Sequence, residues 1–183
     1  MNVLFIIGSA KKDGITSKLC DIVSSAMKGV NVSFLYPIDM DIAHCTGCNL
    51  CSESGKCVID DDMGTIYKTV RDSDAVILAT PIHFSGPSSI LKQVIDRYQC
   101  VWLTDRGKVK DKVAGLIVNG GSQSPIFSNT VSIAKAFAAT IGAEWVSELK
   151  VGDTDNIKDA EKELSAEAQE FGECIIAAVK EKV

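Results

Sequence analysis

The amino terminus reads Met1-Asn2-Val3-Leu4-Phe5-Ile6-Ile7-Gly8-Ser9-Ala10-Lys11-Lys12-Asp13-Gly14-Ile15-Thr16-Ser17. Asn2–Ile7 is a short apolar run without polar alternation, the pattern of a strand buried on both faces of a parallel sheet. It breaks at Gly8 into a small, hydroxyl-rich turn. From Ile15 the apolar period changes to that of a helix, with Ile15, Leu19, Ile22, Val23 and Ala26 on one face. Strand, polar turn and helix in this order predict the first unit of an α/β domain.

The rest of the chain repeats the alternation. Strands are predicted at Val30–Tyr36, Ala75–Ala79, Val113–Asn119 and Trp145–Val151. Helical stripes fall at Ile90, Leu91, Val94, Ile95 and Tyr98, and at Ala134, Phe137, Ala138 and Ile141. A terminal stripe runs through Ile157, Leu164, Ala168, Phe171, Ile175 and Ala178. Residues 1–183 therefore form a single three-layer domain, a doubly wound parallel sheet with right-handed crossovers. One segment, residues 37–62, is cysteine-rich, weakly periodic and too long for an ordinary connection. Nineteen basic against twenty-four acidic residues give a net charge of −5, which argues against nucleic acid as partner. No apolar run approaches the roughly 18 residues that span a bilayer. The amino terminus lacks a positively charged start followed by a hydrophobic segment and a small-residue cleavage site, so export is not expected. A cytoplasmic location is expected, where cysteines serve as metal ligands or reactive thiols rather than disulfides.

The turn after the first strand has the parts of a phosphate site: small residues, hydroxyls at Ser9, Thr16 and Ser17, Lys11, and a helix amino terminus after Gly14. It is neither a Walker loop nor a G-x-G-x-x-G fingerprint, since Ala10 occupies the second glycine position. The plainer reading is a strand-to-helix turn capped by Thr16 or Asp13. The third strand ends in Thr80-Pro81-Ile82-His83-Phe84-Ser85-Gly86-Pro87, with Pro87 at a first-turn position of the next helix. The fourth ends in Asn119-Gly120-Gly121-Ser122. In a flavodoxin-type five-stranded order, 2-1-3-4-5, all three turns border the crevice where the crossovers switch faces. A phosphate loop beside His83 and Phe84 suits a ligand with a phosphate tail and a flat ring.

Gly8-Ser9-x-Lys11-x-x-Gly14-x-Thr16 resembles the flavin-phosphate loop of the NADPH-dependent FMN reductase group. Pro81-Ile82-His83-Phe84-Ser85-Gly86, followed by Leu91-Lys92-Gln93-Val94-Ile95-Asp96-Arg97, resembles that group's ring-binding loop and helix. The resemblance implies FMN held by Ser9, Lys11, Gly14, Thr16, Ser17, Pro81, Ile82, His83, Phe84, Ser85, Gly86, Asn119, Gly120, Gly121 and Ser122, with NAD(P)H as a candidate electron donor. Lys11 stands where the group often has Arg, and a lysine cannot make a guanidinium fork. His83 stands where it often has Tyr, which would make the ring contact pH-sensitive.

Cys45, Cys48, Cys51 and Cys57 fall at spacings x2, x2 and x5. Four thiolates from one short loop suit a 4Fe-4S cubane, and Gly47 and Gly55 let the backbone turn around it. An empty thiol loop and a structural zinc site are the competing readings. The spacing, ahead of Asp61-Asp62-Met63, resembles the iron-sulfur flavoprotein family. That resemblance implies a redox protein passing electrons between the cluster, FMN and a small-molecule or ferredoxin-like carrier, as a homodimer or homotetramer. No acid–base pair is required and no catalytic residue is assigned. The alternatives are an NAD(P)H-dependent FMN, quinone or azo reductase without a cluster, and a non-catalytic ligand-binding or zinc-stabilised regulatory module.

Other features have plainer readings. Cys20, Cys100 and Cys174 are expected as small buried hydrophobes, and His44 as a solvated or capping residue. Asp60, Asp61 and Asp62 are read as helix-start acids. Lys108, Lys110 and Lys112 form a solvated approach to the fourth strand, and Val101, Trp102 and Leu103 belong to the core or a subunit contact.

Overall fold

The computed structural model describes residues 1–108 and 111–182, so Lys110 lies outside the described residues. Among the described residues six strands form: β1 (Asn2–Ile7), β2 (Asn31–Leu35), β3 (Ala75–His83), β4 (Gly86–Pro87), β5 (Lys112–Asn119) and β6 (Ala143–Val151). The helices are α1 (Ile15–Ala26), α2 (Cys51–Ser54), α3 (Met63–Arg71), α4 (Ser89–Arg97), α5 (Gln99–Thr104), α6 (Ser128–Thr140) and α7 (Ala160–Lys180).

Five strands pair in parallel in the order β2-β1-β3-β5-β6. Numbered among themselves these are 2-1-3-4-5, the flavodoxin-like arrangement. The added β4 is a two-residue strand folded back antiparallel on the end of β3, pairing Ile82 with Pro87 and His83 with Gly86. It corrects two expectations. The third strand does not end at Ala79 but runs on to His83, and Pro87 sits in β4 while Ser88 caps α4.

The continuous apolar strands are buried on both faces. Val3, Phe5, Ile7 and Ile77 pack beneath α1 and α7. Leu4, Ile6, Val76, Leu78 and Leu116 pack beneath α3, α4 and α6. Each fully buried aliphatic or aromatic side chain contributes roughly 2 kcal/mol. The chain thus leaves β1 for one face and β3 for the other, which places the switch point between these neighbours. Ile157 precedes α7 but packs on the same cluster. Cys20 and Cys100 are buried as expected, whereas Cys174 is exposed on the outer side of α7. Among the described residues, no helix is long and apolar enough to cross a membrane.

Candidate functional site

The turns after β1, β3 and β5 lie on one rim, tied by specific bonds. Gly8 N–H donates to Ala79 O at 2.7 Å. Ser88 Oγ donates to Gly8 O at 2.5 Å and accepts from Leu91 N–H at 3.2 Å, so the cap of α4 also clamps the end of β1. The approach is close: a Cβ on Gly8 would stand 2.4 Å from Leu91 Cβ. Thr16 Oγ1 donates to Asn119 Oδ1 at 2.7 Å, a buried bond joining the first turn to the last. Its hydroxyl is therefore engaged between the loops. Neither Thr16 nor Asp13 caps α1; the cap position is Gly14, without a side-chain bond and with no acidic residue in the first turn. Uncapped first-turn N–H groups are what an anion needs. Ser9 Oγ and Ser17 Oγ both donate to Lys11 O, at 3.2 and 3.3 Å, and fold the loop around that carbonyl. Neighbouring Lys12 meets Asp39 at 2.5 Å above the Tyr36 ring.

Beyond Pro81, which pairs with Asn119, β3 enters a two-residue hairpin. Its tip residues, Phe84 and Ser85, have φ of 49° and 62°. Both central residues at positive φ is the pattern of a type I′ turn, which normally recruits Asn-Gly. Phe84 is fully exposed, at 106%, and His83 is exposed beside it. Ile82, Ser85, Gly120, Gly121, Ser122 and Pro125 line a cleft of about 370 Å³, within the range of small-ligand sites. A Cβ at Gly121 would lie 2.6 Å from Asp155 Oδ2, so a side chain there would have to displace that carboxylate. The residues present fit a phosphorylated flat ligand: an uncapped helix terminus for the phosphate, and a cleft between hairpin and glycines for the ring.

The second site lies in the long connection between β2 and α3. Gly47 and Gly55 adopt φ of 67° and 70° as expected, and Asn49 joins them at 63°. Cys45, Cys48, Cys51 and Cys57 line one pocket, together with Arg97, Gln99 and Cys100. Among the described residues no three His, Cys, Asp or Glu gather tightly enough for a single metal ion. The thiols surround a space instead of meeting at a point. Leu50 N–H and then the Thr46 hydroxyl hold the Cys48 thiol below its ordinary range, whereas burial and then Cys100 push the Cys51 thiol up.

Sequence reasoning missed what holds this loop. Arg97 is buried in the last turn of α4. Nη1 donates to Ala43 O at 2.8 Å and to Asp61 Oδ2, and Nη2 to Asp61 Oδ1 at 3.1 Å, Ile59 O at 3.4 Å and Cys57 Sγ at 3.5 Å. Asp61 is thus an ion-pair partner and not merely a helix-start acid, although Oδ1 also accepts from Met63 N–H. Burial alone would raise the Asp61 carboxyl; the bonds from Arg97, Ala43 N–H and Met63 N–H outweigh it and hold the carboxyl below its usual range. Arg97 Nε is buried without a partner among the described residues. A pocket lined by four thiols and bordered by Arg97, which donates to Cys57 Sγ, fits an anionic sulfur cluster there. Asp62 Oδ2 accepts from Asp41 N–H at 2.7 Å. The helical stripe carried one usable signal: Arg97 lies three residues after Val94, on the buried face.

A model of the NADPH-dependent FMN reductase family matches residues 1–152. An iron-sulfur flavoprotein of Methanocaldococcus jannaschii is 33% identical over 126 residues, covering 68% of this chain and 64% of that protein. One from Archaeoglobus fulgidus is 35% identical over 120 residues, covering 64% and 54%. The chain thus spans between about half and two thirds of these relatives. Among solved structures, a flavone reductase superposes with a TM-score of 0.78 over 98% of this chain and 63% of its own, at 24% identity, a likeness of fold alone. With the family pattern running from β1 through the rim to the end of β6, the chain belongs to the NADPH-dependent FMN reductase family of flavin oxidoreductases.

Proposed function

We propose that this protein is a flavin-dependent oxidoreductase of iron-sulfur flavoprotein type, holding FMN at the rim and a 4Fe-4S cluster in the thiol pocket. The single observation that carries the finer reading is the four-cysteine pocket bordered by a buried arginine that donates to Cys57 Sγ. The names of the relatives agree with it. When bound, FMN supplies two-electron chemistry and the cluster one-electron steps, which together couple unlike carriers.

The chain's own residues bind and orient. First-turn N–H groups of α1 and the loop around Lys11 would hold the phosphate; Asn119 and the glycines after it would lie along the ring. Phe84 and His83 would stand at its open edge, where a small-molecule donor, NAD(P)H or a ferredoxin-like carrier could approach. Exposed Leu50 and Val58 on the thiol loop and Trp102 and Leu103 on α5 suit a contact with a second copy in a homodimer or homotetramer.

FMN, iron and sulfide measured on one anaerobic preparation test this reading. About one FMN and four irons per chain are expected. A clean yellow flavin protein without iron would leave a cluster-free NAD(P)H-dependent reductase. Colourless protein that takes up no flavin would overturn the flavin assignment as well.

A further inference from the structure

We propose that Arg97 is the positioning residue of the thiol pocket, stapling both ends of the cysteine loop and donating to the ligand sulfur of Cys57. This rests on the cluster reading above. The residues before the first thiol are gripped at Ile42 and Ala43, whose carbonyls accept from Gln93 Nε2 and Arg97 Nη1. Those around and after the last are gripped at Cys57, Ile59 and Asp61. All these bonds come from one helix, α4. Its carboxyl end is steadied in turn by Tyr67 Oη donating to Arg97 O at 2.5 Å.

Arginine suits the task because its planar fork serves several acceptors at once, which a lysine ammonium cannot do in the same geometry. Asp61 cancels its charge, so Cys57 receives a hydrogen bond rather than a bare cation. A hydrogen bond to a ligand sulfur stabilises the more negative, reduced cluster and raises its potential. Cys45, Cys48 and Cys51 receive no such bond from Arg97 among the described contacts. The nearest competing role is purely structural, and it makes a different prediction for the potential.

Wild type, Arg97→Lys and Gln93→Ala are compared as full chains purified anaerobically, by FMN content, iron loss to a chelator, and the cluster's midpoint potential. Both variants are expected to keep FMN and to lose iron roughly tenfold faster. Only Arg97→Lys should move the potential, to a more negative value; Gln93 grips the loop without touching sulfur, so its loss should leave the potential unchanged. Complete iron loss in Arg97→Lys with FMN retained supports the staple in its strongest form. An unchanged potential in Arg97→Lys overturns the sulfur contact, and unchanged iron loss overturns the staple. Loss of FMN and of cooperative melting together would reduce Arg97 to a fold residue. Wild-type protein without iron overturns the cluster reading and this proposal with it, an outcome distinct from iron-loaded wild type with an indifferent Arg97.

Discussion

The Asp61–Arg97 pair turns a surface loop into a pH-dependent one. The Asp61 carboxyl is depressed from its usual value of 3.8, against its burial, by hydrogen bonds from three partners, Arg97, Ala43 N–H and Met63 N–H, that exist only in the folded state. Its contribution is therefore fully present above that value and is lost as pH falls through the lower folded value. Urea midpoints of wild type should drop more steeply below about pH 4 than those of Asp61→Asn. At pH 7 Asp61→Asn should itself cost about 3 kcal/mol, the low end for a buried pair, since only one loop covers it. Parallel acid profiles for the two proteins would show that Asp61 is not the titrating group. Gly8 poses a steric test. Its missing Cβ would collide with the buried Leu91 Cβ and the α4 backbone, neither of which is a movable side-chain end. Gly8→Ala should destabilise by about 3 kcal/mol, the upper range for overpacking, read as a lowered urea midpoint.

Among the elements, the β3–β4 hairpin holds strain where the ring is expected. Phe84 and Ser85 both occupy left-handed backbone, costing roughly 1 kcal/mol or more each for a residue with a Cβ. Ser85→Gly should raise thermal stability by about 1 kcal/mol in flavin-free protein, and a melting scan reads the gain directly. A fall in stability would mean that the serine side chain contributes more than the strain costs. The same hairpin shows what sequence could and could not reveal. Asn2–Ile7 and Val113–Asn119 were legible because burial on both sheet faces demands unbroken apolar runs. The hairpin was hidden because Phe-Ser is not a turn signature and Pro81 and Pro87 resemble strand and helix boundaries. The three rim turns were legible as a set through topology, but the bond from the Thr16 hydroxyl to Asn119, 103 residues away, was not. No local pattern encodes such a bond. The cysteine loop announced itself by spacing, while its staple did not, because an arginine near a helix end ordinarily reads as a solvated partner of the dipole.

Across the whole molecule, α4 is the axis that relates the two sites. Its cap, Ser88, clamps the rim, and its last turn, Arg97, clamps the thiol loop. Nine residues at 1.5 Å each separate them by about 13 Å, so the pockets share a helix but not a wall. The rim is made by the ends of β1, β3 and β5 and requires nothing from residues 45–57, whose held ends rest on α4 and α3. Disturbing one pocket should therefore leave the other loaded. The double variant Cys48→Ala/Cys51→Ala should lose its iron and keep a full complement of FMN. Conversely, Thr16→Val strips Asn119 Oδ1 of its donor inside the buried joint between the first and last turns, a loss of about 1–3 kcal/mol. FMN affinity should then weaken roughly tenfold while iron content holds. Spectra and metal analysis of both variants measure the two occupancies side by side. If FMN falls with the thiols, or iron falls with Thr16, α4 transmits strain between its ends, and the cofactors cannot be treated as independently seated.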